Sequence, residues 1–436
     1  MVHDRRLPTP LLWNVRIVDR PPREQATVEI EDGRIITIGD ARGDPPAGAL
    51  DCGGRTLLPG LIDAHIHLSS DVSRSPGFGP PEPLHGEEPR RRELGYFVLA
   101  KTARVLLAAG ITTVRDVGCY DEEAIVLRQA VELGVVEGPR ILSCARIISA
   151  TSPGGGIFGT MYHEADGPWE MRRAVREQLR RGADYVKLMA TGARSVEREN
   201  PEPAQLTREE IEAVVDEAHR LGVRVAAHAE GLEGTRFAVE AGVDTVEHGL
   251  SLHREPRLLE LMAERGIVLV PTLSTFHDLA ERFTDDFPSV LVEQAKRQLD
   301  EAYRTLAAAR DAGVVLAMGH DSGPPGANAI ELVRMAEGGL GAAAAIEAAT
   351  RGSARALGLE DEIGAVERGK AADLLIVDGD PLADVRILND PARIWRVLKN
   401  GDRCAISSTW SALASESCGS AQASSCGASR PARRSR

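Results

Sequence analysis

The chain has 436 residues, of which 43% are hydrophobic and 27% are charged, a balance that is ordinary for a globular protein. A formal net charge of -13 at pH 7 argues against a nucleic-acid partner, because binding to phosphates needs a basic surface. The first residues, MVHDRRLPTP, lack the apolar core of a signal peptide, and no segment approaches the length of a membrane span. We therefore expect a cytoplasmic protein with neither a nucleic-acid nor a membrane partner.

Short strands separated by turns are predicted near both ends of the chain. They lie between residues 11 and 51, and again after residue 371, where apolar residues alternate with turn residues. The shared pattern predicts a small β-sandwich domain that is built from both chain ends, residues 1–56 and 363–408. Residues 57–362 between them are expected to form one larger domain.

The middle of the chain repeats one pattern, in which a helix-like segment ends at a glycine and a short apolar strand follows. Glycine is favoured after a helix because it adopts left-handed backbone angles without strain. The six instances have Gly110, Gly182, Gly222, Gly242, Gly266 and Gly313 at this position. Together with the strand before His65 and the segment PRILSCARIIS at residues 139–149, they give eight strands that alternate with helices. This order predicts a (β/α)8 TIM barrel and disfavours an open doubly wound α/β sheet.

The segment LLPGLIDAHIHL, residues 57–68, carries the first polar pair of the predicted barrel. Its apolar residues predict one buried strand, and residues two apart on a strand point to the same side. His65 and His67 therefore present two imidazoles at the carboxyl end of that strand. Two converging imidazoles are half of a metal site.

Further polar residues occupy the carboxyl ends of later strands, which is where barrel enzymes place their chemistry. They are Lys187 in DYVKLMA, His228 in VAAHAEG, His248 in TVEHG and Asp321 in MGHDSG. Each alone has an ordinary structural explanation, but their shared position predicts one site. The four long loops expected to cover it are residues 69–92, 149–168, 192–206 and 274–290.

A buried lysine among four histidines and a carboxylate suggests a ligand that bridges metal ions. Burial lowers the pKa of a lysine, and the neutral amine reacts with carbon dioxide to give a carbamate. A carbamate on Lys187 would join two divalent ions. The ligands of the first ion would be His65, His67 and Asp321, and those of the second would be His228 and His248. Zn²⁺ is the expected metal, although imidazole and oxygen ligands also suit Mn²⁺, Fe²⁺ or Co²⁺.

These motifs resemble the amidohydrolase superfamily, and in particular its two-metal group with a carboxylated lysine. The resemblance extends from residue 11 to residue 402 and includes HIH after LPGLIDA, VKLMATG, VEAGVDTVEHG and the aspartate of GHDSG. VRDVG and GPRIL are similar to segments of prolidase-like dipeptidases. The chain also resembles imidazolonepropionase-related hydrolases. The chain departs from such relatives at SPGGGIFG, HAEG and GHDSG, which are expected near the substrate and leave dipeptidase specificity open.

The resemblance and the residues together predict metal-assisted hydrolysis of an amide or related C–N bond in a small molecule, such as a dipeptide or an N-acyl amino acid. The two ions would bind a hydroxide whose pKa they lower, and Asp321 would act as the general base. His248 is a second catalytic candidate because it could stabilise the developing oxyanion. The candidate substrate contacts are Tyr162, Arg194 and Glu230.

Three alternatives remain open from the sequence. The same metal core opens imidazolones, other cyclic amides and carbamates, and only substrate profiling separates these reactions. A one-metal deaminase would use His65, His67 and Asp321 but gives Lys187 no role. A metal-free binding protein on the same fold is the third alternative, and assembly into a homo-oligomer is also left open.

The last residues, 409–436, are mostly Ser, Ala, Gly and Arg with almost nothing apolar to bury, which predicts a disordered tail. Deleting the residues after Thr409 should therefore leave the melting temperature and the turnover number unchanged. Thermal unfolding and kinetics of the truncated protein, beside the full chain, test this expectation. A large fall in melting temperature would show that the tail packs on the folded part.

Overall fold

The structure, a computed structural model, describes residues 11–68, 93–193, 198–282, 284, 289–321 and 325–404. The predicted tail at residues 409–436 and the predicted loop at residues 69–92 lie outside the described residues. Of the helices in the described ranges, none combines the length and the apolar character that crossing a membrane requires.

The strands and helices follow the chain in a fixed order. The amino-terminal strands are β1 (Leu11–Ile17), β2 (Arg23–Glu31), β3 (Arg34–Asp40), β4 (Leu50–Asp51) and β5 (Thr56–Pro59). The first half of the middle region has β6 (Leu61–Ile66), α1 (Leu94–Ala108), β7 (Ile111–Asp116), α2 (Glu123–Glu132), β8 (Arg140–Ser143), β9 (Ile147–Ser149), α3 (Pro153–Phe158), β10 (Tyr162–Glu164), α4 (Pro168–Arg181) and β11 (Val186–Met189).

The second half of the middle region has α5 (Arg208–Arg220), β12 (Val225–Ala229), α6 (Leu232–Ala241), β13 (Thr245–His248), α7 (Pro256–Arg265), β14 (Val268–Val270), α8 (Leu273–His277) and α9 (Ser289–Asp311). The carboxyl-terminal part has α10 (Ile330–Met335), α11 (Gly341–Glu347), α12 (Ser353–Leu357), β15 (Leu374–Val377), β16 (Ile394–Lys399) and β17 (Asp402–Arg403). Short 3-10 or π turns lie at Gly159–Met161, Leu252–Arg254, Asp278–Arg282, Ala336–Leu340, Ala348–Gly352, Val385–Asn389 and Pro391–Arg393.

The middle strands form two parallel sheets. One has the order β6–β7–β8, and the other has the order β10–β9–β11–β12–β13–β14. Two single parallel bridges, Leu269 with Leu316 and Ile66 with Asp321, bring the eighth predicted strand beside β14 and β6. The predicted alternation of helices and parallel strands is thus present, although no unbroken ladder closes the strands into a ring within the described ranges.

The third predicted strand is in fact two strands, β8 and β9, which belong to different sheets. Ala145 between them has a left-handed φ of 61°, which turns the chain. The backbone N–H of Ala145 donates to Ser143 Oγ, and that of Arg146 donates to Gln178 Oε1, both at 3.1 Å. Side chains therefore satisfy backbone groups that an unbroken strand would pair with its neighbour.

The eighth predicted strand is held by individual hydrogen bonds rather than by a regular ladder. The Ala317 N–H donates to the Leu269 carbonyl at 2.9 Å, and the Met318 carbonyl accepts from the Ala64 N–H at 2.8 Å. Asp321, at the end of this segment, donates its N–H to the His65 carbonyl at 2.8 Å. These bonds fix the segment between the last strand of one sheet and the first strand of the other.

The apolar run of residues 57–68, predicted as one strand, is divided at Gly60 between β5 and β6. A Cβ atom on Gly60 would lie 2.2 Å from Thr112 Oγ1, so no side chain fits there. β5 pairs with β1 and β15, and β6 starts the three-stranded parallel sheet. Gly60 is therefore where the chain passes from one sheet to the other.

Strands from both ends of the chain hydrogen-bond in one mixed sheet. Its order is β17–β16–β15–β5–β1–β2–β3, with β4 paired to β1. Leu12, Ile35, Leu57 and Leu374 are among its fully buried core residues. The predicted sharing of strands between the chain ends is present, and the arrangement as a two-layer sandwich domain stays a prediction.

Helices pack on the parallel strands through apolar stripes. A capping box starts α5, because Thr207 Oγ1 accepts from the Glu210 N–H and the Glu210 carboxylate accepts from the Thr207 N–H. Ile211 and Val214 of this helix are fully buried in the core cluster that also contains residues of β11 and β12. This packing leaves the carboxyl ends of the strands to form the pocket described next.

Candidate metal centre

One pocket at the carboxyl ends of the parallel strands contains all six predicted ligand residues. They are His65, His67, Lys187, His228, His248 and Asp321. The pocket encloses about 510 Å³ of empty space, part of which is open to solvent. Side chains that were predicted at the ends of five different strands thus lie together in one pocket.

His65, His67 and Asp321 form the first group. Asp321 Oδ1 lies 3.4 Å from His65 Nε2 and 3.6 Å from His67 Nε2. The Nδ1 atom of His67 is 2.7 Å from the Gly118 carbonyl, which can only accept, so Nδ1 carries the proton and Nε2 keeps its lone pair. Burial lowers the pKa of His67 to about 4, and this favours the neutral imidazole that binds metals.

Glu247 and Arg115 position His65 of the first group through buried hydrogen bonds. Glu247 Oε2 lies 2.6 Å from His65 Nδ1, and Arg115 donates from Nη2 to Glu247 Oε1 at 2.7 Å. Arg115 also donates to the Ala64 carbonyl at 2.6 Å, so it spans from β7 to β6 and β13. Burial alone would raise the pKa of Glu247, but the charges of Arg115 and Lys187 and the bond to His65 hold it below its usual range.

His228 and His248 form the second group. His228 Nδ1 and His248 Nε2 face each other at 2.9 Å. The remaining nitrogens are also engaged, since His228 Nε2 lies 3.1 Å from the Gly192 carbonyl and His248 Nδ1 lies 2.6 Å from Thr272 Oγ1. The Gly192 carbonyl can only accept, so the His228 lone pair is on Nδ1, beside His248.

Several residues at this site have strained backbone angles. His248, Thr272 and Asp321 have φ values of 69°, 48° and 61°, in the left-handed region that non-glycine residues rarely adopt. Neighbouring residues on a regular strand point to opposite faces. At the end of β13, however, Glu247 bonds to His65 and the His248 ring lies 5.0 Å from the His65 ring. The left-handed turn at His248 allows both side chains to reach the same side.

Lys187 lies on β11 and lines the same pocket as both groups. Its side chain is 2% exposed, and its Nζ atom has no hydrogen-bond partner among the described residues. Burial lowers the pKa of Lys187 to about 8, although the Glu247 carboxylate acts in the opposite direction. A buried amine without a partner is costly unless something absent from the protein chain binds it.

The donor atoms suit divalent metal ions. Ligand atoms of His65, His248 and Asp321 lie within 4.8 Å of one another, and so do those of His228, Glu230 and His248. Imidazole nitrogens and carboxylate oxygens are ligands that Zn²⁺ and similar ions accept. Together with the unpartnered Nζ of Lys187, this donor set fits a metal site.

The three predicted substrate contacts differ in their placement. Tyr162 and Glu230 line the pocket, and Tyr162 is buried with its ring 5.0 Å from that of Phe158. Glu230 Oε1 lies 3.3 Å from His228 Nε2, so its carboxylate is nearer to the ligand side chains than the sequence indicated. Arg194 lies outside the described residues.

The sequence reasoning missed three residues that position the ligands, namely Arg115, Glu247 and Thr272. Arg115 and Glu247 are charged residues inside fully buried strands, and a charge at such a position must be paired. That rule would have found both. Thr272 follows β14 and gives no comparable signal in the sequence.

Comparisons with known proteins agree with this chemistry. A model of the amidohydrolase family matches residues 56–404. The ochratoxinase of Aspergillus niger is 30% identical over 416 residues, covering 88% of this chain and 83% of that protein. An imidazolonepropionase of Paracoccus denitrificans is 28% identical over 388 residues, covering 81% of this chain and 88% of that protein. A solved Xaa-Pro dipeptidase with bound methionine in its active site has a TM-score of 0.79 at 31% identity, covering 90% of this chain and 98% of that one.

The fold, the pocket and these matches define a hydrolase of C–N bonds with a TIM-barrel-like α/β fold. The chain belongs to the amidohydrolase family and is related to its prolidase-like members. This family generally uses divalent metal ions, and the pocket holds candidate ligand groups for them.

Replacing Glu247 tests the buried support of His65. The variant Glu247→Gln should lower the free energy of unfolding by about 3–5 kcal/mol, the range for breaking a buried ion pair, because Arg115 keeps its charge without a counter-charge. Urea denaturation measures the change. Adding Arg115→Met to this variant should recover part of the loss.

The matched control for this experiment is Glu293→Gln. Glu293 pairs with Lys296 at 2.8 Å on the surface, where both side chains are exposed. This substitution should leave the unfolding curve unchanged. Equal effects of the two substitutions would show that the buried pair stabilises the fold no more than the exposed pair does.

Proposed function

We propose that the protein is a two-metal hydrolase that cleaves the amide bond of a small molecule, a dipeptide or an N-acyl amino acid. The observation that carries the proposal is the convergence of four histidines, a buried lysine and an aspartate in one pocket. In this proposal His65, His67 and Asp321 hold one ion. His228 and His248 hold the other, with Zn²⁺ as the expected metal and Mn²⁺, Fe²⁺ or Co²⁺ as alternatives. Bound ions would supply an activated water molecule and would polarise the scissile carbonyl group.

Lys187 is proposed to carry a carbamate that bridges the two ions. The amine adds to carbon dioxide, a C–N bond forms, and one proton is released to solvent. Only the neutral amine reacts, and a pKa of about 8 keeps part of the Lys187 population neutral near pH 7. Among the described residues Nζ has no hydrogen-bond partner, and this supports the assignment because a carbamate bound to metal ions would satisfy the buried nitrogen.

Asp321 is proposed as the general base. Its carboxylate faces His65 and His67, and its backbone is fixed by the bond from its N–H to the His65 carbonyl. From this place Asp321 would accept the proton of the attacking water and pass it to the leaving nitrogen. His248, oriented by Thr272, is the candidate that stabilises the negative charge on the carbonyl oxygen.

The substrate assignment draws on the relatives. Similarity to a Xaa-Pro dipeptidase favours a dipeptide. An N-acyl amino acid is proposed beside it because it contains the same type of amide bond. The 28% identity to an imidazolonepropionase favours, as the second candidate, the opening of a cyclic amide on the same metal core. A one-metal deaminase is disfavoured because it would leave Lys187 buried without a role.

The complete fold belongs to the same proposal. The single bridges on both sides of the eighth segment support a closed (β/α)8 barrel, and the mixed sheet supports a β-sandwich domain built from both chain ends. The first boundary between them is best placed at Gly60, because β5 pairs within the mixed sheet.

The base is tested by Asp321→Asn. Asparagine keeps the size and one oxygen ligand but cannot accept a proton at neutral pH. Bound metal should survive in large part, while kcat falls on the order of 10²–10⁴-fold, the usual contribution of general acid–base catalysis. Kinetics and elemental analysis of the same preparation measure the two quantities.

His320 provides the control for that substitution. It adjoins Asp321 in sequence, but only Asp321 of the two is among the residues that line the pocket. His320→Ala should therefore cost much less turnover than Asp321→Asn. Near-normal turnover in Asp321→Asn would remove Asp321 from the mechanism and point to Glu230 as the next candidate.

Lys187→Ala tests the bridge. The variant should lose bound metal after dialysis, because the two ions no longer share a ligand, whereas the wild type should keep two ions per chain. His219→Ala is the control, since His219 pairs with Asp244 and is not among the pocket residues. Retention of two ions by Lys187→Ala would contradict the carbamate assignment.

The reaction itself is tested by the metal-loaded protein against dipeptides, N-acyl amino acids, carbamates and cyclic amides. We expect turnover of linear amides in preference to cyclic ones. Selective opening of a cyclic amide would establish the second candidate function instead.

A further inference from the structure

We propose that the pocket selects a substrate with one large apolar, preferably aromatic, substituent next to the scissile bond, and this inference rests on the proposed amide hydrolysis. The substituent would lie against a surface that we name the apolar wall. The wall consists of Ile147, Phe158, Met161, Tyr162, Met189, Ala193 and Leu279. Six of these seven residues pack together as one hydrophobic cluster, and Leu279 lines the same pocket.

The wall adjoins the proposed metal ligands directly. Met189 and Lys187 lie two residues apart on β11, so their side chains point to the same side of that strand. On the other flank, Gly118 accepts the hydrogen bond from His67 and packs against Ile147, where a Cβ atom on Gly118 would lie 2.6 Å from the Ile147 side chain. A bond cleaved at the ligand side therefore has its neighbouring substituent at the wall.

The pocket is divided by polarity. We name the imidazoles, Lys187, Glu230 and Asp321 the ligand side; the wall side chains are hydrocarbon, thioether or aromatic, and Thr275 completes the lining. Among the described residues that line the pocket, Lys187 is the one Lys or Arg, and it lies on the ligand side. The described part of the wall thus offers no Lys or Arg partner for a substrate carboxylate.

The polar group of Tyr162 also disfavours an anion at the wall. Burial raises the pKa of the Tyr162 phenol well above its usual value, and the carboxylates of Glu199 and Glu230 raise it further. Two carboxylates close enough to act on this hydroxyl would repel a third from the substrate. A neutral substituent avoids that repulsion.

The shape of the wall favours a ring over a small group. The Phe158 and Tyr162 rings lie 5.0 Å apart at an interplanar angle of 35°, a spacing that suits contact with a further ring. Met161 and Met189 add polarisable thioethers that adapt to aromatic edges. Because the hydrophobic gain follows the apolar area removed from water, a methyl group would use little of this surface.

The experiment compares matched substrates in the metal-loaded enzyme. Three series are used, namely Xaa-Gly, Gly-Xaa and N-acetyl-Xaa, each with Xaa as Ala, Phe or Glu. In at least one series, kcat/KM for Phe should exceed that for Ala by about tenfold or more, the lower range for contacts in a hydrophobic pocket. Glu should be the poorest substrate of that series.

Variants then assign the preference to the wall. Phe158→Ala should lower the Phe-to-Ala ratio of kcat/KM by about tenfold, and Phe158→Leu should lower it less. The ratio is measured within one preparation, so a loss of folded protein cancels. The control is Ile157→Ala, since Ile157 is the neighbouring residue of α3, is 45% exposed and is not among the pocket residues. It should leave the ratio unchanged.

The outcomes separate the two proposals. Hydrolysis with Ala or Glu preferred in every series, or a ratio unchanged in Phe158→Ala, would overturn the apolar-wall inference and leave amide hydrolysis intact. Absence of turnover in all three series, with a cyclic amide hydrolysed instead, would contradict the proposed function and with it the inference that rests on it.

Discussion

The buried carboxylate of Glu247 is the contact on which the site depends. It belongs to the six-stranded parallel sheet, yet it bonds to His65 and Arg115 of the three-stranded sheet, so it joins the two sheets beneath the pocket. Its charge compensates Arg115 and lies near Lys187, which lets three ionisable groups remain buried together. Because a carboxylate that bonds one ring nitrogen fixes the orientation of a histidine, Glu247 also aims His65 at Asp321.

Strained backbone angles also help to direct the ligand side chains into the pocket. Regular strands would direct alternate side chains outward, but the left-handed angles at His248 and Asp321 turn both toward the pocket where the strands end. Thr272 shares this conformation and holds the outer nitrogen of His248. The cost of such angles is offset by the surrounding bonds, as is common where geometry serves chemistry rather than stability. The same strand ends carry the ligand side of the pocket and, through β11, the start of the apolar wall.

Much of this arrangement follows from the sequence because its signals are local and periodic. Glycines after helices and polar residues after apolar strands predicted the alternation and the six pocket residues. The breaks in the strands at Gly60 and Ala145 were harder to predict from the sequence. They depend on contacts with Thr112 and Gln178, which are distant in sequence. The proximity of Glu230 to His228 and the contact of Thr272 with His248 likewise depend on the tertiary structure. The sequence placed Tyr162 near the substrate, but only its packing on Phe158 indicates an apolar surface.

The most direct test of a two-metal centre is anomalous diffraction from crystals of the metal-loaded protein. We expect two anomalous peaks roughly 3.5–4 Å apart, the usual spacing of two-metal sites, with density for a carbamate on Lys187 between them. One peak should adjoin His65, His67 and Asp321, and the other should adjoin His228 and His248. A single peak with an unmodified Lys187, or peaks bound elsewhere in the chain, would contradict the account.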